Sequence, residues 1–236
     1  MRVALERMRL ATLNLNHRTR RSAIPGAIVD GHLGLAPDVV VLTEYVEPEP
    51  CREMRASLRR LGLDHVAVSS PIEYRPGRWS NQVLIASRWP TSAATPPDGP
   101  PDESAQSNIL MVTTGGIDLI GLRVPMYTAA GDWYRYWRWL EGVIGGDLVI
   151  GDLNVDPARS DRRARVLASL MQAGAWERVE PMGSWSYMGR GGRASRIDHV
   201  LFRGPVRASA ARYVPEPFAP IHTDHAALVA EIDAGR

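Results

Sequence analysis

Short apolar segments recur along the whole chain and predict mainly β-strands. Residues 9–15 alternate between apolar and polar positions, as in a strand with one buried face. Residues 38–42 form a continuous β-branched run, which is typical of a strand buried on both faces. Further strands are predicted at residues 81–87, 109–114, 117–124, 147–150, 196–202, 206–213 and 226–232.

Three apolar stripes with helical spacing predict helices, so strands outnumber helices. Ser160 is the predicted N-cap of the third helix, with Asp161 in its first turn and Gly174 at its end. The stripes are Met54, Leu58 and Leu61; Trp133, Tyr136, Trp137, Leu140 and Ile144; and Val166, Leu167, Leu170 and Met171.

The chain contains no internal repeat, and one segment rich in proline, residues 91–104, predicts a surface loop. Similar apolar segments flank this loop on both sides, which favours one domain over two. We therefore expect an N-terminal extension at residues 1–7 and a single domain at residues 8–236.

Five apolar runs end abruptly in acidic, amide or imidazole residues. A buried strand should not end in a carboxylate unless solvent, a partner or a metal meets it there. Five such endings in one chain predict that several strand ends converge on one polar pocket. The candidate pocket residues are Asn14, Asn16, Glu44, Asp152, Asn154, Asp198, Asp224 and His225.

These side chains indicate a site for a hard divalent cation. Carboxylate and amide oxygens without thiols suit Mg²⁺ or Mn²⁺ better than structural zinc. The adjacent Asp224 and His225 place a ligand or orienting carboxylate beside an imidazole that can carry a proton. A cation, a base and an imidazole together are what the hydrolysis of a phosphoester requires.

The ordered set Asn–Glu–Gly-Asp-x-Asn–Arg-Ile-Asp–Asp-His resembles the endonuclease/exonuclease/phosphatase superfamily, which includes pancreatic deoxyribonuclease and apurinic/apyrimidinic endonucleases. Residues 81–90 also resemble that family's strand ending in Ser-Arg-x-Pro. The resemblance implies an α/β (α+β) fold: a four-layer sandwich of two mostly antiparallel β-sheets packed face to face and flanked by helices.

The resemblance also implies a role for each candidate. Asp152 would activate the attacking water, Asn154 would hold the phosphate or Asp152, and His225 would contact the phosphate, steadied by Asp198. Metal ligands would be Glu44, Asn16 and Asp224; substrate contacts would come from Asn14, Asn81 and Arg123.

Arg123 departs from the pattern, because many relatives carry histidine or tyrosine at this position. Arginine can neutralise a phosphate but cannot act as a neutral acid near pH 7. Either Arg123 replaces a phosphate contact, or this protein handles its leaving group differently.

Composition narrows the class of protein. The hydrophobic content of 44% supports a sizeable core, and no apolar run approaches the ~20 residues that span a bilayer. Residues 1–7 lack the apolar stretch of a secretory signal, and the single cysteine, Cys51, cannot close an internal disulfide. We expect a cytoplasmic, monomeric protein without an integral membrane segment.

The net charge is only +2, although all 28 basic residues are arginine. Guanidinium groups suit phosphate, but a GC-rich genome also favours arginine codons. Arginines at 18, 20 and 21, at 75 and 78, and at 190 and 193 lie in segments where they could add phosphate contacts.

Three functions follow. The first is a Mg²⁺-dependent phosphodiesterase, a nuclease acting on nucleic acid and most simply on DNA. The second keeps the chemistry but acts on a lipid headgroup, an inositol phosphate or another small phosphoester. The third is a non-catalytic phosphate-binding protein on the same scaffold.

Overall fold

The structure of the 236-residue chain is a computed structural model. The structure describes residues 7–16, 31, 34–46, 52–94, 96, 98–127, 129–216 and 223–234, without the side chains at 52, 53, 74 and 78. Residues 1–6 of the expected extension, and Arg18, Arg20, Arg21 and Cys51, lie outside the described part of the chain.

The first of two large sheets joins strands from both ends of the chain. Its strands are β1 (Met8–Asn14), β2 (Val39–Tyr45), β3 (His65–Val68), β6 (Gln82–Ser87), β15 (Val206–Val214) and β16 (Ala227–Ala234). Their order is β15-β16-β1-β2-β6-β3. Only β1 and β2 run parallel, and every other neighbouring pair is antiparallel.

The second sheet is built from the middle of the chain. Its strands are β7 (Thr91–Ala94), β8 (Ile109–Thr114), β9 (Ile117–Arg123), β10 (Leu148–Asp152), β11 (Glu177–Arg178) and β14 (Asp198–Phe202), in the order β11-β14-β10-β9-β8-β7. Here β9 and β10 form the parallel pair. Within the described residues there are also two small hairpins: β4 (Glu73–Arg75) with β5 (Arg78–Trp79), and β12 (Tyr187–Met188) with β13 (Ala194–Ser195).

Among the elements that the structure describes in full, three α-helices cover the outer faces of the two sheets. Helix α1 (Arg52–Arg60) packs Met54 and Leu58 on the first sheet. Helices α2 (Ala130–Val143) and α3 (Arg162–Ala173) pack on the second sheet, and a short 3-10 helix (Glu103–Asn108) precedes β8. None of the described helices is long and apolar enough to cross a membrane. The resulting helix–sheet–sheet–helix layering confirms the expected four-layer sandwich.

The alternation of side chains along the strands determines what fills the space between the sheets. In β2, Val39 and Val41 face the second sheet, whereas Val40 and Leu42 face α1. Because successive side chains point to opposite faces, residues of matching parity in both sheets form one central apolar core. That core includes Leu10, Val83, Ile85, Leu119, Leu148, Ile150 and Val200.

Both sheets have a parallel pair at their centre, and each pair ends in polar residues. Asn14 and Thr43 are paired at the end of β1 and β2, and Arg123 and Asp152 at the end of β9 and β10. Ligands commonly bind outside the carboxyl ends of parallel strands. The fold therefore brings two such ends together at one edge of the sandwich.

Two local predictions were wrong. The N-cap of α3 is Asp161, whose side chain accepts a hydrogen bond from the backbone N–H of Ala164, and Ser160 precedes it. The segment 91–104 is not all loop, because its first four residues pair with β8 as the edge strand β7. Such a pairing depends on the neighbouring strand, which a local composition rich in proline does not reveal.

A buried histidine fastens the loop after β10 to β14. The His199 ring is fully buried, and its Nε2 lies 2.8 Å from the carbonyl oxygen of Val155. Nδ1 has no hydrogen-bond partner among the described residues. The neutral tautomer with its proton on Nε2 satisfies this geometry, and burial lowers the pKa of His199.

We predict that His199 makes the fold sensitive to acid. Because its folded pKa lies below the value of 6.5 in the unfolded chain, stability is retained above pH 6.5 and is lost as pH falls further. For each pH unit below 6.5, His199 should lower the free energy of unfolding by up to about 1.4 kcal/mol. Urea unfolding at pH 7.5 and 5.5 should show a smaller loss for His199→Gln than for the native chain.

The matched control is His65→Gln on the less buried strand β3. It should keep the native pH dependence. Equal losses in native, His199→Gln and His65→Gln proteins would contradict the prediction.

Candidate active site

A polar pocket of ≈ 530 Å³ opens at the edge of the sandwich where the parallel strands end. It contains eight of the ten candidate residues identified from the sequence. Its lining is Asn14, Asn16, Glu44, Arg123, Met126, Asp152, Asn154, Val155, Asp156, Arg159, Asp161, Arg163, Tyr187, Arg193, Ser195, Ile197, Asp224 and His225.

At the base of the pocket, a hydrogen bond crosses from one sheet to the other. Asn14 has the inward parity of Leu10 in β1, and Asp152 has that of Ile150 in β10. Asn14 Nδ2 donates to Asp152 Oδ2 at 2.9 Å, and both residues are buried. The same alternation that builds the core thus places this amide and this carboxylate opposite each other.

The turn after β10 holds the other oxygen of the same carboxylate. The backbone N–H of Asn154 donates to Asp152 Oδ1 at 2.9 Å, while its side-chain amide donates to the carbonyl oxygen of Val124 at 2.6 Å. Asn154 has a φ of 52°, in the left-handed region that asparagine tolerates better than most residues. Asp152 therefore has a fixed orientation, and Asn154 acts on it directly.

An imidazole–carboxylate pair forms the neighbouring wall. His225 Nδ1 lies 2.9 Å from Asp198 Oδ2, and Asp198 is buried behind the ring at the start of β14. The Thr223 hydroxyl accepts from the backbone N–H of His225 and donates to the carbonyl oxygen of Asn14. This arrangement leaves Nε2 as the ring nitrogen directed away from Asp198, on the side of Asp224, whose Oδ1 is 3.9 Å away.

Glu44 reaches the pocket only because β2 is irregular. By strict alternation it would share the outward face of Leu42, but the register with β6 shifts between Leu42 and Tyr45. Glu44 has a φ of 55° at this bulge. A bulge re-aims a side chain, and here Glu44 Oε1 accepts a hydrogen bond of 2.8 Å from Arg123 Nε on the inner face of β9.

The electrostatics of the pocket follow from the burial of several carboxylates close together. Burial, followed by the charge of Asp198, raises the pKa of Asp152 to about 7. Burial alone would lower the pKa of His225, but the charge and hydrogen bond of Asp198 and the charges of Asp152 and Asp224 raise it to about 9. Near neutral pH the pocket thus combines a carboxylate ready to take a proton with a protonated imidazole.

The donor chemistry fits a hard divalent cation. Glu44, Asn16 and Asp224 offer carboxylate and amide oxygen atoms to a cation. Burial is the largest cause of the raised pKa of Asp152, and the negative charges of Asp198 and Glu44, which a nearby cation would offset, raise it further. No three His, Cys, Asp or Glu side chains within the described residues form a ready-made metal cluster. One candidate ligand is an amide, and Glu44 is paired with Arg123.

Two of the ten candidates are absent from the pocket lining, namely Asp198, which lies behind the His225 ring, and Asn81. Asn81 is buried just before β6, so a direct substrate contact by this residue stays a prediction. Of the arginines considered for phosphate contacts, Arg193 lines the pocket, whereas Arg75 and Arg190 do not.

The sequence did not indicate several residues that shape the site. The Tyr187 ring packs on His225 with a centroid distance of 5.0 Å, and the Ser186 hydroxyl accepts from the backbone N–H of Asp198. Arg159 and Arg163 enter the pocket from the segment after Asn154. Their proximity in sequence to the Gly-Asp-x-Asn turn is the signal that could have found them.

The sequence profile of the endonuclease/exonuclease/phosphatase family matches residues 11–220. This match spans most of the chain and includes residues 11–14 of β1 and the whole of β2, β9, β10 and β14. The chain belongs to this family. A search of curated proteins gave no significant match.

Several solved structures have a similar fold over nearly the whole length of this chain. A 3'-5' exonuclease from Neisseria meningitidis has a TM-score of 0.72 and 20% identity, covering 96% of this chain and 100% of its own. An AP endonuclease from Archaeoglobus fulgidus has a TM-score of 0.69 and 20% identity, covering 94% and 98%. An endonuclease/exonuclease/phosphatase protein from Beutenbergia cavernae has a TM-score of 0.71 and 17% identity, covering 98% and 72%. At these identities the likeness shows the shared fold.

Gly151 lies in β10 directly before Asp152, at a position that requires glycine. Its φ is 143°, and a Cβ at this position would lie 2.0 Å from the carbonyl oxygen of Leu122 on β9. We predict that Gly151→Ala lowers the free energy of unfolding by about 3 kcal/mol or more, because β10 must move away from β9. Urea denaturation monitored by tryptophan fluorescence measures the loss.

Gly142→Ala is the matched control, because an added Cβ at this position in α2 meets no atom within 4 Å. It should be neutral or stabilising by up to about 1 kcal/mol. A native-like midpoint for Gly151→Ala would show that the approach of β10 to β9 is not a tight constraint.

Proposed function

We propose that this protein is a metal-dependent phosphodiesterase that hydrolyses phosphodiester bonds of nucleic acid, with DNA as the substrate. The observation that carries the proposal is the arrangement around Asp152. This buried carboxylate is held by Asn14 and Asn154 within the same pocket as the pair of His225 and Asp198. Membership of the family supports phosphoester hydrolysis in general.

In the proposed reaction, Asp152 is the general base. With a pKa of about 7 it is substantially ionised at neutral pH and can still accept a proton efficiently. A water molecule attacks the phosphorus atom and gives its proton to Asp152, while the bond between phosphorus and the leaving oxygen breaks. The leaving oxygen takes a proton from solvent. Asn14 and Asn154 keep the carboxylate aimed during this step.

His225 is proposed to stabilise charge on the phosphoryl group. Because Asp198 fixes Nδ1 and the pKa of His225 is about 9, Nε2 carries a proton at neutral pH. Nε2–H can therefore donate a hydrogen bond to a phosphoryl oxygen as negative charge develops there. The Tyr187 ring, stacked at a tilt against the imidazole, restricts its rotation.

Glu44, Asn16 and Asp224 are the proposed ligands of Mg²⁺, which Mn²⁺ could replace. When bound, the cation would neutralise charge on the phosphoryl oxygens. The bulge at Glu44 and a φ of 47° at Asn16 give both ligands a backbone conformation that the surrounding strands must maintain.

The positive charges that line the pocket suit a substrate with several phosphates. Arg159, Arg163 and Arg193 line the pocket outside the buried carboxylates, where guanidinium groups could contact flanking phosphates. A 3' phosphatase from Neisseria with a similar fold has been solved bound to a product DNA hairpin. We propose the same class of substrate for this chain, and a monomeric protein acting in the cytoplasm.

We predict that Asp152→Asn lowers kcat by about 100-fold or more, because the amide cannot accept the proton of the attacking water. The substrates are plasmid DNA, an abasic oligonucleotide, RNA, and phosphomonoesters that include an inositol phosphate, each with Mg²⁺ and with EDTA. DNA cleavage should be the fastest reaction, and EDTA should abolish it.

Asp161→Asn provides the matched control in the same pocket. Asp161 caps α3, and asparagine caps a helix equally well, so this variant should retain native turnover. Cleavage of only small phosphoesters would favour the second function, a phosphatase or lipid phosphoesterase. If no substrate is cleaved and Asp152→Asn changes nothing, the protein is a binding module and the proposal is wrong.

A further inference from the structure

The pairing of Glu44 with Arg123 is the feature of the pocket that the proposed function does not use. Arg123 Nε donates to Glu44 Oε1 at 2.8 Å, and the two side chains are only 14% and 8% exposed. The Coulombic attraction within a buried ion pair is stronger than at the surface, since little water screens it, and this attraction offsets the cost of removing both charges from water. The carboxylate proposed as the main metal ligand therefore already has a cation on one oxygen.

The two partners differ in freedom of movement. Glu44 is buried on a bulged strand with a left-handed backbone, so its carboxylate has a fixed position. Arg123 is the last residue of β9, and its long side chain lies along the wall of the pocket. Rotation about its side-chain bonds can move the guanidinium without disturbing the sheet.

If the Arg123 guanidinium leaves Glu44, it can move to a favourable position near Asp152. Arg123 is the register partner of Asp152 on the neighbouring strand, and its charge lowers the pKa of that carboxyl against the stronger effect of burial. The space above Asp152 is also where the proposed reaction places the phosphoryl group. Guanidinium groups bind phosphoryl oxygens through paired hydrogen bonds.

We propose that Arg123 is a shared counter-ion, which pairs with Glu44 until a divalent cation takes this carboxylate and then binds the phosphoryl group of the substrate. The inference rests on the proposed function in one respect, namely that Glu44 is a cation ligand. A guanidinium and a divalent cation cannot both occupy Glu44 Oε1, so the cation competes with Arg123. Conversely, an anion that attracts Arg123 makes Glu44 available, so the two ligands strengthen each other's binding.

Isothermal titration with Mn²⁺ alone, without any substrate, tests the competition. Arg123→Gln should bind Mn²⁺ at least about tenfold more tightly than the native chain. A tenfold change is a usual size for the coupling between two binding sites. Removing any positive charge from the pocket would attract a cation, so Arg163→Gln serves as the matched control. It removes a guanidinium that contacts Met126 instead of Glu44, and its gain should be much smaller. An equal gain in both variants overturns the proposal.

The second part of the proposal, that an anion draws Arg123 away from Glu44, is tested with sulfate at constant ionic strength. Sulfate is a tetrahedral anion, as phosphate is, and does not precipitate Mn²⁺. It should tighten Mn²⁺ binding by the native chain and by Arg163→Gln, but not by Arg123→Gln. No effect of sulfate on the native chain, or the same effect on all three proteins, overturns the proposal. If Arg123→Gln does not fold by circular dichroism, Arg123→Met replaces it, because methionine keeps a long side chain but has no charge and no donor for Glu44, so it should also bind Mn²⁺ more tightly.

Glu44→Gln separates this inference from the metal assignment on which it rests. Mn²⁺ binding that requires Glu44 but is no tighter in Arg123→Gln than in Arg163→Gln overturns the role of Arg123 alone. An absence of Mn²⁺ binding in the native chain, or binding that Glu44→Gln leaves unchanged, overturns the metal site and the counter-ion together.

Discussion

The hydrogen bond from Asn14 to Asp152 is the interaction on which the site depends. It links β1 of one sheet to β10 of the other at 2.9 Å, in a region where both residues are buried. A buried carboxylate without partners would be strongly destabilising. Asp152 is tolerated because Asn14 and Asn154 donate to it, and this requirement fixes how the two sheets meet at the open edge.

Backbone strain is concentrated at the same edge. Of the five residues other than glycine with positive φ in the described chain, Asn16, Glu44 and Asn154 belong to the site. Each such conformation costs on the order of 1 kcal/mol and persists only where the surroundings enforce it. The apolar core between the sheets makes the surrounding strands rigid, and these strands hold the polar groups of the site in place.

Much of this architecture could be predicted from the sequence because it depends on local patterns. The apolar runs predict β1 and β10 as strands, and the alternation of side chains along a strand then gives Asn14 and Asp152 the same inward face as Leu10 and Ile150. The polar ends predict a shared pocket, since strands that pair in register deliver their ends to one edge. The imidazole–carboxylate pair of His225 and Asp198 was expected from the resemblance and has the expected contact.

What could not be predicted depends on neighbours distant in sequence. The bulge that turns Glu44 inward exists only in the register between β2 and β6, and the pairing with Arg123 requires both sheets. The edge strand β7 forms because β8 offers a partner. Asn81 matched a family pattern, yet its position just before β6 leaves it outside the pocket lining.

A double-mutant cycle on Asn14 and Asp152 tests most directly whether the two sheets form one hydrolytic site. The measurement is kcat/KM for DNA cleavage by the native chain, Asn14→Ala, Asp152→Asn and the double variant. Because Asn14 acts by holding Asp152, we expect the double variant to be no less active than Asp152→Asn alone. Losses that simply add would show that Asn14 and Asp152 act independently and would contradict a single site built across the sheets.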